Sequence, residues 1–395
     1  MLTSEQLRQL QSPAGEQALA EAETVLDLEP DFLRAVQRLA SKVPESLARA
    51  AVDQTILRRR AAAKFVSSSD LFFTKEGLEQ ATPEPVARHR ARRFSGFKRV
   101  LDLGCGIGGD ALALAAHAPV LAADLDVRRL EILGANARRR ALGPRIDLVC
   151  ADVRLPFLRV PPGTAAFADP SRRREGRRTR RTELSAPPLS ALLGWLPELE
   201  AMAVKVSPAV DLEELRALPC EVEFISLDGE LKEATLWFGS LRRGSIRATI
   251  LPAGLSLEGD PPELTVGPLG AYLCEPDPAV MRAGLVGMLG ASLGARLVSP
   301  GIGYLTLDDP VTTPFGRTFQ IRQAAPFRLK SLQGMLAEAD IGRLTIKRRG
   351  SPVEPEAIER RLKLRGGREG ILILTRVAGA SFMLLAEPLG PEPEG

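Results

Sequence analysis

The stretch Val100-Leu-Asp-Leu-Gly-Cys-Gly-Ile-Gly-Gly-Asp110 gathers acids and glycines at spacings that serve chemistry. An apolar run ends in glycines and gives way to ALALAAHA, so a strand should turn into a helix around Gly104, Gly106 and Gly108. Glycines there permit a tight turn and let a ligand approach backbone amides at a helix N-terminus. Gly104, Gly106 and Gly109 also satisfy the G-x-G-x-x-G dinucleotide fingerprint, with Asp124 twenty residues after Gly104. Three acids decide between the two ligands. Asp102, two residues before the first glycine, would lie beside a pyrophosphate, which is electrostatically unfavourable; it suits an ammonium. Asp124 ends a second strand, where it can accept both hydroxyls of a ribose. Asp152 ends a third (LVCAD), where it can accept from the exocyclic amine of adenine. An ammonium, a ribose and an adenine without phosphates describe S-adenosylmethionine.

With these residues in order, the segment resembles the class I S-adenosylmethionine-dependent methyltransferases. DLGCGIGGD looks like their motif I, AADLD carries their ribose acid, CAD their adenine acid and ADP their motif IV, and the resemblance spans about residues 70–240. Amino-methylating members have N/D-P-P followed by an aromatic after the fourth strand. Here Phe167-Ala-Asp-Pro-Ser-Arg-Arg173 keeps Asp169 and Pro170, the catalytic candidates, but supplies no aromatic to stack on a base. Upstream, Asp70-Leu-Phe-Phe-Thr is similar to the segment before motif I in trimethylguanosine synthase-type RNA methyltransferases. That similarity implies that Phe72, Phe73 and Thr74 close over the cofactor. Downstream, YLCEPDPAVMRAGL, RLTIKRRG and LILTRV resemble the THUMP-like domain that accompanies such enzymes in bacteria, which implies RNA as a partner.

Charge points the same way, in clusters rather than in total. The chain carries 53 basic against 49 acidic residues, a net +4. Seven arginines fall between Arg172 and Arg181, directly after Asp169 and Pro170. A solvated loop is the ordinary reading of such a run. Cations this dense beside a methyl donor would repel one another unless an anion fills the space, and nucleic-acid phosphate is the natural one. Arg172, Arg173, Arg174, Arg177 and Arg178 are therefore the substrate-binding candidates. Lys347, Arg348, Arg349, Arg360, Arg361, Lys363, Arg365 and Arg368 form a second basic candidate.

Other chemistries fit less well. Methylating C5 of a pyrimidine needs a cysteine nucleophile, and motif IV holds none. A ribose 2′-O-methyltransferase uses Lys-Asp-Lys-Glu; Asp169 and Lys205 supply half of it, and no second lysine is apparent. The chain reads as a methyltransferase acting on a base nitrogen in RNA. The alternatives are a small-molecule enzyme with an anionic acceptor, a 2′-O-methyltransferase, and a non-catalytic RNA-binding protein.

The elements that position these residues alternate. RVLDL, APVLAAD, RIDLVCAD, TAAFAD and EAMAVKV read as strands between helix-like segments, the signature of a parallel sheet with crossover helices. EVEFISLDG and ATLWFGS could close it as an antiparallel pair, giving seven strands. The expected organisation is α/β: a helical N-terminal region (1–80), a Rossmann-like methyltransferase domain (81–245), a Gly/Pro-rich linker (246–268) and a smaller THUMP-like α/β domain (269–395). At 395 residues and 45% hydrophobic content, the chain is long enough for two or three cores. No run of eighteen apolar residues and no signal-like leader is present, so a cytoplasmic protein without membrane contact is expected. Four separated cysteines and two histidines predict neither a disulfide framework nor a metal site.

Overall fold

The computed structural model describes residues 2–171, 173–174, 177–178, 181–215 and 217–390, with side chains for all of these except 173–174 and 177–178. They fall into two compact units: residues 1–221 with 234–243, and residues 222–233 with 244–395.

The first unit opens with four helices, α1 (Ser4–Leu10), α2 (Pro13–Leu28), α3 (Phe32–Ala40) and α4 (Glu45–Ala61). Their starts are fixed locally. Thr3 and Gln6 form a capping box, Ser12 accepts from Gly15 N–H with Pro13 in the first turn, and Asp31 caps α3. Their apolar faces share one core with Ile132 and Ala135, so the helices pack onto the sheet-bearing part of the same unit. Two buried amides set the chain that follows. Gln54 bonds both N–H and C=O of Phe73 at 2.9 and 2.8 Å, and Asn136 does the same for Phe72 at 2.8 and 3.1 Å.

Helices α5 (Lys75–Gln80) and α6 (Glu84–Ala91) lead into strand β1 (Arg99–Leu103), helix α7 (Gly109–Ala115), β2 (Val120–Asp124), α8 (Val127–Arg139), β3 (Ile146–Cys150), β4 (Thr164–Ala168) and β5 (Ala201–Val206). These five strands are parallel in the order β3-β2-β1-β4-β5. After β6 (Glu221–Leu227), the 234–239 part of β7 (Glu230–Gly239) pairs antiparallel with β5. The order reverses direction between β1 and β4, and in such sheets ligands bind outside the carboxyl ends of the strands at that reversal. Asp102, Asp124 and Asp169 all stand at those ends.

The second unit contains most of β6, which pairs parallel with Ile246–Leu251; the latter pairs antiparallel with Leu255–Glu258. The stretch 246–268, expected as a linker, thus holds two strands, the first of them buried continuously from Ala248 to Leu251. A seven-stranded sheet follows, in the order 296–299, 302–307, 272–276, 316–326, 380–388, 368–377, 341–348, with only the last pair parallel. The expected α/β character of this part appears: a helix, Leu329–Glu338, follows the 316–326 strand, and 368–377 with 380–388 form a terminal hairpin. Among the described residues no helix is long and apolar enough to cross a membrane.

Candidate active site

At the carboxyl end of β1 the backbone turns through Gly104, Gly106 and Gly108, with φ of +95°, +56° and +96°. L side chains avoid that region, but the glycines differ in what surrounds them. A Cβ on Gly104 or Gly106 would meet nothing within 4 Å, so these two leave room for a ligand against the backbone. A Cβ on Gly108 would fall 2.1 Å from Leu133 Cδ1; this glycine serves the close packing of the turn on α8.

The turn borders a cavity of about 280 Å³. Asp102, Asp124, Asp169 and Pro170 line it with Gly104 and Gly106, and so do Asp110 and Lys205. Asp102 is 1% exposed, and its Oδ2 is buried without a hydrogen-bond partner among the described residues. Burial above all, then the carboxylates of Asp110 and Asp169, push its carboxyl well above the usual range, against the pull of Arg90. A ligand ammonium would satisfy that oxygen and relieve the crowding of negative charge. Asp124 is held by backbone: Gly106 N–H donates to Oδ2 and Asp126 N–H to Oδ1, both at 2.9 Å, with Arg129 3.8 Å from Oδ2. Each of its oxygens keeps acceptor capacity for one hydroxyl of a diol. The open glycine backbone, the orphaned carboxylate oxygen and the fixed diol acceptor together fit S-adenosylmethionine.

At the end of β4, Asp169 Oδ2 accepts from Lys205 Nζ at 2.6 Å, and Lys205 donates also to Thr82 Oγ1 at 2.9 Å. Thr82 lies 3.3 Å from Asp110 Oδ2, and Asp110 pairs with the buried Arg90. Sequence reasoning weighed Lys205 only for ribose methylation and did not single out Thr82, Asp110, Arg90 or Arg129. The available signal was a lone lysine within the apolar AMAVKV. The Cys105 thiol, which also lines the cavity, is pushed well up by burial, so it is no thiolate nucleophile.

Other candidates stand elsewhere. Phe73 is 1% exposed, packed 5.5 Å from Phe65 in the helical core, and Thr74 caps α5 by accepting from Gly77 N–H. Neither lines the cavity; Gly77, Gln80 and Ala81 of the following turn do. Gln54 and Asn136 pin the backbone of Phe72 and Phe73, in the expected closing segment, into the core. Asp152 is engaged by Arg154, which donates at 2.6–3.0 Å and holds its carboxyl down at about 2. Its neighbours Ala151 and Val153 reach the cavity, and it does not. Arg172 lies outside the described residues. The backbones of Arg173–Arg174 and Arg177–Arg178 form a two-stranded hairpin that follows Ser171. Of the C-terminal basic group, Lys347 pairs with Glu275, Arg348 with Glu354 and Arg368 with Glu387, so much of that charge is locally balanced. Among the described residues no group of His, Cys, Asp and Glu could hold a metal ion.

Comparison with known proteins agrees with this geometry. Residues 316–388 match the THUMP domain-like family, and residues 3–61 match a domain of unknown function. Two Mycobacterium tuberculosis proteins, described as uncharacterized S-adenosylmethionine-dependent methyltransferases, are each 38% identical over 342 residues, covering 84% of this chain and 93% of theirs. A crystal structure of a candidate methyltransferase from Porphyromonas gingivalis shares the fold at a TM-score of 0.70 and 21% identity, over 95% of this chain and 99% of that one. Relatives so similar over nearly their whole length settle the family: the chain belongs to the S-adenosylmethionine-dependent methyltransferases.

Proposed function

We propose that the cavity binds S-adenosylmethionine and that the enzyme methylates a base nitrogen in RNA. The observation that carries the reading is the placement of three acids, Asp102, Asp124 and Asp169, around one cavity. When bound, the cofactor supplies a methyl group on a positively charged sulfur, electrophilic enough to need no metal or covalent enzyme intermediate. The chain's own residues bind and orient. Asp102 takes the ammonium, Asp124 the ribose hydroxyls, and Gly104 and Gly106 let the adenosine lie against the backbone. Asp169 accepts a hydrogen from the acceptor nitrogen and so directs its lone pair toward the methyl. Asp169 would then take the proton that the methylated nitrogen gives up and pass it to water. Positioning of this kind accounts for up to about 7–11 kcal/mol of a barrier.

RNA as the acceptor is supported by the arginine hairpin directly after Asp169 and Pro170 and by the THUMP domain-like segment. In this reading residues 1–80 buttress the catalytic part, 81–245 carry the chemistry and 269–395 contribute to RNA binding. One observation favours a second reading: the 2.6 Å contact of Lys205 with Asp169 is a pair that also suits activation of a ribose hydroxyl. The test is transfer of tritiated methyl into RNA from cells lacking the enzyme, followed by nucleoside analysis. Label in a modified base supports the proposal and label in ribose supports the second reading. Label absent from RNA but present in a small anionic acceptor refutes both.

A further inference from the structure

Strand β5 is AMAVKV, buried throughout, and Lys205 is its one charged residue, 5% exposed. Burying an ammonium is costly unless it is paired and hydrogen-bonded. A hydrophobic residue of similar size would often stabilise such a position as well or better, so fold stability alone gives little reason for a lysine here. The register explains what it meets. Phe167 is opposite Ala203 and Ala168 opposite Val204, so the next residues along, Asp169 just past β4 and Lys205 still within β5, stand side by side at the cavity.

We propose that Lys205 is the positioning residue of the acceptor end: it holds the Asp169 carboxylate in one orientation and ties it to the cofactor end through Thr82 and Asp110. This rests on the reading above that Asp169 meets the acceptor. Lysine has only donors, so Thr82 Oγ1 must accept from it at 2.9 Å, which turns the hydroxyl proton toward Asp110 Oδ2 at 3.3 Å. Asp110 also accepts from Arg90. Donors and acceptors therefore alternate from Arg90 through Asp110, Thr82 and Lys205 to Asp169, with no mismatched link. Asp169, held through Oδ2 at 2.6 Å, also lines the cavity. The same chain passes through Asp110, in the first turn of α7 behind the glycine turn, so the two ends of the cavity share one hydrogen-bonded frame.

The test compares Lys205→Met, Lys205→Arg and Thr82→Val, each with Asp169 intact or replaced by Ala, and Asp169→Ala alone. Methyl transfer into RNA from cells lacking the enzyme is measured beside calorimetric affinity for S-adenosylmethionine. A misplacement of about 1 Å can cost 100-fold in rate. Lys205→Met should therefore slow transfer at saturating cofactor by about 30- to 100-fold while affinity changes less than about twofold, and Lys205→Arg should recover most of it. Thr82→Val, which keeps the shape and removes the hydroxyl, should slow transfer by about 3- to 10-fold, with a modest fall in melting temperature and unchanged cofactor affinity. Combined with Asp169→Ala, Lys205→Met should add no further loss, because it acts through Asp169. A parental rate in Lys205→Met, an equal loss of affinity, or a multiplicative loss in the double variant overturns the inference. If Asp169→Ala itself transfers at the parental rate, the acceptor-end reading fails instead. A crystal structure of Lys205→Met with S-adenosylhomocysteine judges the clamp whatever the acceptor: a turned Asp169 carboxylate supports it, and an unmoved one refutes it.

Discussion

Replacing Asp102 by Asn separates its two effects, because they have opposite signs. In the unfolded chain this carboxyl ionises near pH 4; in the folded, ligand-free protein burial makes it hold its proton to higher pH. A carboxyl raised in this way contributes stability that is full below its unfolded value and is lost as pH rises toward its folded one. At neutral pH, Asp102→Asn should thus stabilise the empty protein, by on the order of 1–3 kcal/mol for an unsatisfied buried group relieved of its charge. The same change should weaken S-adenosylmethionine. A hydrogen bond to a charged group contributes about 1.5–3 kcal/mol, which at about 1.4 kcal/mol per decade is a loss of about 10- to 150-fold in affinity. Binding an ammonium favours the ionised form of Asp102. Over the range where the ligand amine stays charged, parental affinity should therefore rise with pH, and the Asn variant should be flat. Calorimetry in two buffers of different ionisation enthalpy measures both the affinity and the proton, and thermal unfolding measures the stability. Equal affinity in parent and variant, or the same pH profile in both, would refute the assignment of Asp102 to the ammonium.

The remaining predictions concern the other end of the cavity and the arginines. Asp124→Ala should weaken S-adenosylmethionine by about 2–4 kcal/mol, since two hydroxyl contacts are lost from a site only 6% exposed; unchanged affinity by calorimetry would remove Asp124 from it. Asp169→Ala should keep that affinity and lower turnover by about 100-fold or more, on the order of 3 kcal/mol, in a saturating-cofactor assay. Replacing Arg173, Arg174 and Arg178 by Gln should flatten the log–log salt dependence of RNA binding by about two units, at roughly 0.7 per phosphate contact. An unaltered slope in a filter-binding titration would mark the hairpin as a solvated loop.

How much of this was legible in the sequence follows from what kind of contact each residue makes. Asp102, Asp124 and Asp169 each end a strand of one parallel sheet, and the topology alone brings such ends together. Gly104 and Gly106 were legible for the same reason. Asp152 follows the same rule, yet Arg154 two residues on captures it, a local pairing that strand order does not encode. Phe73 looked like a lid because its family position suggested one, whereas Gln54 and Asn136, 19 and 64 residues from their partners, bind that backbone into the core. Lys205 and Thr82 meet across 123 residues, so only the oddity of a lysine in a buried strand hinted at it. The division of the chain within β6 and β7 depends on similarly distant contacts, and composition carries no trace of it.

The central claim is that this one cavity holds the methyl donor between Asp102, Asp124 and Asp169. A crystal structure of the full chain with S-adenosylhomocysteine tests it most directly. The account predicts the ligand's ammonium within hydrogen-bonding distance of Asp102 Oδ2, its ribose hydroxyls on Asp124, and its sulfur facing Asp169. A ligand bound elsewhere, or one bound here with its ribose away from Asp124, would contradict it.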